Sequence, residues 1–203
     1  MNRRHLLTAI TLLFGISGFS QNSSDIDITN VAKVSLINPG LSYEQRIGKW
    51  QSLHAQAYMS PSFGIGFSDA LGTTSYFYID PAVNLQYRYY YNARRRQEKG
   101  KRTAVNSLNY IGPVYDAFFS KERLYASGDI KTPRRTIHRA GVVWGFQRNY
   151  PSRFSLDFFA GPVYLFTKSK ERIGNDIVET TVNEPDLMIQ INLGFWLNKR
   201  KKD

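Results

Sequence analysis

From Ser52 to Phe67 the chain changes character at every residue. One parity reads Leu53, Ala55, Ala57, Met59, Pro61, Phe63, Ile65 and Phe67; the other reads Ser52, His54, Gln56, Tyr58, Ser60, Ser62, Gly64 and Gly66. A period of two predicts a strand with two unlike faces. At roughly fifteen residues it exceeds the usual ~5–6 of strands in soluble sheets.

The same alternation predicts six further strands. Residues 33–47 put Ile37, Pro39, Leu41, Tyr43 and Ile47 on one face, against Asn38, Gly40, Ser42, Glu44 and Arg46. A tight turn, Gly48 to Gln51, leads into 52–67. Residues 76–91 oppose Phe77, Ile79, Pro81, Val83, Leu85, Tyr87 and Tyr89 to Tyr78, Asp80, Asn84, Gln86 and Arg88. Residues 106–119 are less clean, because Tyr110 and Val114 fall on the polar parity. Residues 137–148, 153–168 and 186–198 complete the set; the last runs Leu187, Ile189, Ile191, Leu193, Phe195, Leu197 against Gln190, Asn192 and Gly194. Aromatics gather at strand ends (Trp50, Tyr87, Tyr89, Tyr90, Tyr91, Tyr150), as interface girdles do.

Large apolar faces opposite faces that hold Glu44, Arg46, His54, Gln56, Asp80, Arg88 and Asp157 suit lipid outside and a polar, filled interior. The expected fold is therefore all-β: an up-and-down antiparallel transmembrane β-barrel. Such barrels have an even strand count, so an eighth strand is expected, with residues 25–32 as its candidate. Loop lengths orient it. Residues 68–75, 120–136 and 169–185 are the long, extracellular connections, the last continuing as a hairpin that turns at Gly174 to Asp176 with Ile177 to Val182 as its return arm. The basic segment 92–105 falls on the periplasmic side.

The ends agree. Arg3 and Arg4 precede an apolar run, Leu6 to Ile16, that is too short for the ~20 residues of a spanning helix. Residues 1–20 read as a secretory signal cleaved before Gln21, leaving 21–203 as one barrel domain. No cysteine is present, so disulfides, thiolate metal sites and cysteine nucleophiles are excluded. The balance of 27 basic to 16 acidic residues, net +11, would raise nucleic acid as a partner. Export directs the charge to lipid phosphates instead. Arg134, Arg135 and Arg139 in one outer region, with Lys168, Lys170 and Arg172 in another, are candidates for binding the phosphates of outer-leaflet glycolipid (lipopolysaccharide).

Pro39, Pro61, Pro81, Pro113 and Pro162 interrupt strand patterns, although proline cannot donate to a ladder. All five fall on the oily parity near the outer strand ends and would form a belt. Loosened strands at a rim account for them; lateral entry of a lipid through the missing ladder bonds is the sharper alternative. Catalysis finds little support. His54 with Ser42, Ser60 and Glu44 could compose an esterase set, but polar interiors hold such residues as hydrogen-bonded filling. No His or carboxylate spacing suggests a metal, and no cofactor is implied.

Residues 33–44, Lys-Val-Ser-Leu-Ile-Asn-Pro-Gly-Leu-Ser-Tyr-Glu, resemble the opening strand of small outer-membrane β-barrel proteins of uncharacterised function. Asn192, Gly194 and Leu197 are similar to the signal read by the barrel-assembly machinery, without its terminal aromatic. The resemblance carries no activity; the strand pattern and export signal lead to the expectation of a monomer in the outer membrane. The His-x-Ser motif of lipid A deacylases is absent at His54, and only the proline-broken strands resemble lipid A palmitoyltransferases. The expected role is non-enzymatic: structural, or binding glycolipid through basic loops. Alternatives are a lipid-binding or lipid-modifying barrel with lateral access, and a soluble lipocalin-like barrel with the two faces inverted.

Overall fold

The computed structural model describes residues 28–68, 72–120, 125–126, 135–173 and 176–198, and the predicted signal lies outside them. The chain is all-β, with eight antiparallel strands in a ring-like sheet. These are β1 (Val31–Ser35), β2 (Gly40–Gly48), β3 (Gln51–Ser68), β4 (Gly72–Tyr89), β5 (Asn109–Ser120), β7 (Arg135–Asn149), β8 (Phe154–Ile173) and β9 (Asp176–Trp196). A two-residue strand, β6 (Tyr125–Ala126), adds to β4 at Tyr76 and Phe77, and one short helix, α1 (Ala93–Glu98), follows β4. Each ring strand pairs with its neighbour in sequence, and β1 pairs with β9 through Lys33, Val34 and Ser35, so the order returns to its start.

The first hairpin differs from the expectation. Residues 33–47 are not one strand: β1 and β2 pair from Val31 opposite Glu44 to Ser35 opposite Gly40, with a four-residue turn between them. Asn38 in this turn adopts a positive φ of 54°, a left-handed conformation that Asn tolerates better than most residues. Pro39 thus lies in a turn rather than inside a strand. The eighth strand is Val31–Ser35, overlapping only the end of 25–32. The turn also reverses parity: Val31, Lys33 and Ser35 face inward on β1, Ser42 and Glu44 on β2. A single turn placed wrongly moves a strand's whole side-chain set to the other face.

The connection 68–75, expected as a loop, is strand, and the hairpin expected within 169–185 is present as a continuous ladder. The β3–β4 ladder runs without interruption to Ser68 opposite Gly72. The β8–β9 ladder runs to Ile173 opposite Asp176. β-branched residues such as Ile177, Val178, Thr180, Thr181 and Val182 explain the second extension. These two hairpins rise well above the short β1–β2 hairpin. We call that end upper, and the end holding α1, Ile28 and Asn198 lower.

The lower end is closed. Segment 92–108 folds across it, anchored by Arg102 Nε donating to the Asn149 carbonyl at 2.8 Å and by Asn106, which bonds the Thr29 amide and carbonyl, each at 2.8 Å. Ile28, Tyr90, Ala93 and Leu108 pack there, continuous with Tyr110, Val143 and Phe159 higher up. Tyr90, expected in a girdle, is fully buried inside; Tyr89, Tyr91 and Tyr150 are exposed.

Prolines and their preceding glycines mark where the ladder fails. The β4–β5 ladder omits Tyr87 and Arg88, opposite Pro113 and Gly112. The β7–β8 ladder omits Val142 and Val143, opposite Pro162 and Gly161. A Cβ on Gly112 would lie 1.8 Å from the Tyr87 carbonyl oxygen, and one on Gly161 2.1 Å from that of Val142. These near-repeat Gly-Pro pairs bring neighbouring backbones together more closely than any side chain permits.

Candidate functional site: a sealed polar interior with an open upper notch

Alternation places charge inside. Of the residues expected in the interior network, Glu44, His54, Gln56, Asp80 and Arg88 are buried. Arg46 is half-buried near the lower rim, where its Nε donates to the Gly48 carbonyl at 3.3 Å.

Arg88 is the centre of the lower network. Its Nη1 donates to Asp157 Oδ2 and Gln147 Oε1, both at 2.9 Å, and its Nε to Gln86 Oε1 at 2.9 Å. Its guanidinium lies 4.2 Å from the centre of the Tyr110 ring. Asp157 also takes Lys33 Nζ at 3.3 Å and the Tyr110 hydroxyl at 2.8 Å. Glu44 accepts from Ser52 Oγ at 2.6 Å, from Gln147 Nε2 at 3.2 Å and from the Tyr90 hydroxyl, with Arg88 at 4.0 Å. Two cations and two carboxylates thus balance in one network, Asp157 bonded directly to both cations and Glu44 linked to Arg88 through Gln147, the condition under which buried charge is tolerated.

Along the inner face of β4 the chain of bonds climbs from Arg88 through Gln86 and Asn84 to Asp116 on β5. Asp116 holds Arg139 Nη2 at 2.7 Å and the Tyr58 hydroxyl at 3.1 Å. Arg139 is therefore turned inward and engaged with a carboxylate, not displayed on an outer anion-binding surface as expected. Its Nη1 also reaches Asp186 at 3.7 Å. Lys168 is exposed near the upper end. Arg134 lies outside the described residues, and so do the side chains of Arg135, Lys170 and Arg172.

The His54/Ser/Glu set does not assemble into a catalytic relay. Ser52, not Ser42 or Ser60, meets Glu44, and His54 Nδ1 has no hydrogen-bond partner among the described residues. The small cavity beside His54, about 10 Å³, has room for roughly one water. Among the described residues no group of three His, Asp or Glu could hold a metal ion.

Lys33, Tyr110, Asp116 and Gln147 are network residues that the sequence reading did not single out. Tyr110 and Asp116 share a parity, which was the available signal; Lys33 was hidden by the misplaced first turn.

Above this network lies an open cavity of about 470 Å³. Its polar wall includes Asn38, Tyr58, Ser60, Arg139 and Gln190, and its apolar jaws are Ile37, Pro61, Ile189 and Ile191. It opens where the wall is cut down to the β1–β2 turn.

No protein-family model, curated protein or solved structure matches this chain. Among the described residues no helix is long and apolar enough to cross a membrane, which says nothing of strands.

Proposed function

We propose that the ring is a membrane-spanning β-barrel of the bacterial outer membrane, with a sealed interior and a structural or lipid-binding role rather than a catalytic or pore-forming one. The observation that carries this is the inversion of polarity. Leu36, Leu41, Leu187 and Ile189 are about 60% exposed, each above 60%, while Arg88, Glu44 and Asp116 are 0% exposed. An apolar surrounding medium makes that distribution favourable. A lipocalin-like binding protein in water would place the same faces the other way round, so the side-chain placement argues against that alternative.

Eight strands leave an interior about wide enough for side chains to fill, and here it is filled by paired charges and closed below by 92–108. That supports a plug rather than a channel. Lys168, exposed near the upper end, supports contact with lipid phosphates there. The test is fractionation of expressing cells, with the membrane fraction run on gels unheated and boiled. Recovery in the outer membrane with a migration shift on boiling is the expected result. A freely soluble periplasmic protein would overturn the proposal.

A further inference from the structure

Over the β1–β2 turn, β3 and β9 each present a bare edge among the described residues. β2 pairs with β3 only as far as Gly40 opposite Tyr58, with one further bond from the Met59 amide to the Pro39 carbonyl. On the other side, the Leu36 and Ile37 amides reach Leu193, and Asn38 Nδ2 reaches the Ile191 carbonyl. Beyond these points β3 continues to Ser68, and β9 begins as far up as Asp176, with no strand between them among the described residues. The result is a notch the width of the missing β1–β2 extension, and the 470 Å³ cavity lies in it.

Its outer rim is apolar. Ile37, Ile189 and Ile191 are 47%, 61% and 45% exposed, continuous with Leu36 and Leu187. In the membrane reading, on which this inference rests, hydrocarbon lies against that rim, and unpaired backbone there needs a polar partner. An added strand would be the simple one. Both edges discourage it: Pro61 stands on the β3 edge and Pro185 on the β9 edge, and neither has an amide proton to donate.

The inner wall favours a dipolar group. Arg139 Nε is buried without a partner, while its Nη1 faces the half-exposed carboxylate of Asp186 at 3.7 Å. With Asp116 behind, the site carries one guanidinium against two carboxylates, so a purely anionic group meets net repulsion. A head carrying both charges fits this pair: its phosphate faces the Arg139 guanidinium that lines the cavity and its ammonium faces Asp186, with Asn38, Ser60 and Gln190 as further polar neighbours.

We propose that the notch above the β1–β2 turn is a lateral docking site for a bilayer phospholipid whose head carries an ammonium group, the head entering toward Arg139 and Asp186 and the acyl chains remaining outside along Ile37, Ile189 and Ile191. The test uses the full chain folded into vesicles containing equal phosphatidylethanolamine and phosphatidylglycerol, each in turn carrying a photoreactive group in its acyl chain near the head. Crosslinks are mapped by peptide mass spectrometry. The expected result is about tenfold more phosphatidylethanolamine crosslinking at Ile37, Ile189 and Ile191 than at Ile111, Val142 and Trp144, which are similarly exposed at 44%, 49% and 41% on the opposite wall. Phosphatidylglycerol should show less than a fifth of that enrichment, and Asp186→Asn should bring the two lipids within twofold. Even labelling around the ring, or a preference unchanged by Asp186→Asn in protein that still shifts on boiling, would overturn the docking site alone. Failure of the wild-type chain to float with the vesicles would overturn the membrane reading beneath it.

Discussion

Replacing Asp157 with asparagine tests whether the interior is held by charge balance. The carboxylate takes Arg88 at 2.9 Å, Lys33 at 3.3 Å and the Tyr110 hydroxyl at 2.8 Å. At an effective dielectric constant of about 20, each ion contact is worth roughly 5–6 kcal/mol before desolvation. Desolvation of three buried ions consumes most of that gain, so the net value of the cluster is small. Losing one member is different, because Arg88 and Lys33 would stay buried with Glu44, 4.0 Å from Arg88, as the remaining carboxylate partner among the described residues. Asp157→Asn is therefore expected to cost about 3–5 kcal/mol. Adding Lys33→Met removes one of the stranded cations and should return about 1–3 kcal/mol. The assay is urea unfolding in detergent micelles, followed by the fluorescence of Trp50, Trp144 and Trp196 and by loss of the fast-migrating unboiled band. A single variant within ~1 kcal/mol of wild type, or a double variant whose costs simply add, would refute the charge-balance argument.

Three further outcomes follow from particular contacts. Gly112→Ala should destabilise by about 1–3 kcal/mol, since the new methyl meets the Tyr87 carbonyl oxygen at 1.8 Å, whereas Pro113→Ala should stay within ~1 kcal/mol; equal stability of the two variants in urea would contradict the close-approach reading. Asn106→Ala removes the bonds to the amide, hydroxyl and carbonyl of Thr29 and should cost about 1–2 kcal/mol, read as faster limited proteolysis around residues 28–30 with the strands intact. In planar bilayers the wild-type chain should show no steady conductance, because 92–108 and the Arg88 network block the path; a stable open channel would count against the plug.

Long ladders were legible and short ones were not. β3 carries 18 residues of alternating character, enough to fix its faces from sequence. β1 carries five, and its Val-Ala-Lys-Val-Ser has no turn signal before it. The signal was behind it, in Asn38, Pro39 and Gly40, which the alternation of 37–43 concealed because the pattern passes through the turn without a break. Charge pairing was illegible for a different reason. Parity tells which residues face inward, but the partners of Arg88 come from β2 and β8, and only the closure of the ring brings those strands opposite β4. Tyr90 looked like a girdle aromatic because three tyrosines stand in a row; parity alone puts Tyr90 on the side of Arg88 and Gln86.

The prolines, which counted against strand, are explained by which side of each strand is paired. Pro61 sits opposite Ile79 and Pro185 opposite Tyr164 on unbroken ladders, each with its other side unpaired among the described residues. Pro113 and Pro162 are likewise paired on one side, with Val142 and Leu187, and face a ladder break on the other. Pro81 pairs with Met59 and stands one residue beyond the point where the β4–β5 ladder begins at Ala82. A missing amide proton therefore coincides, at every one of these positions, with a side that has no acceptor in register. Proline read along a single strand signals an interruption; proline read across the ring marks an edge. Two of those edges face each other over the β1–β2 turn. If they existed merely because the first hairpin is short, nothing would require proline on both. Their placement makes the gap resistant to closure by another strand, and leaves a lipid head as the group whose chemistry suits Arg139 and Asp186.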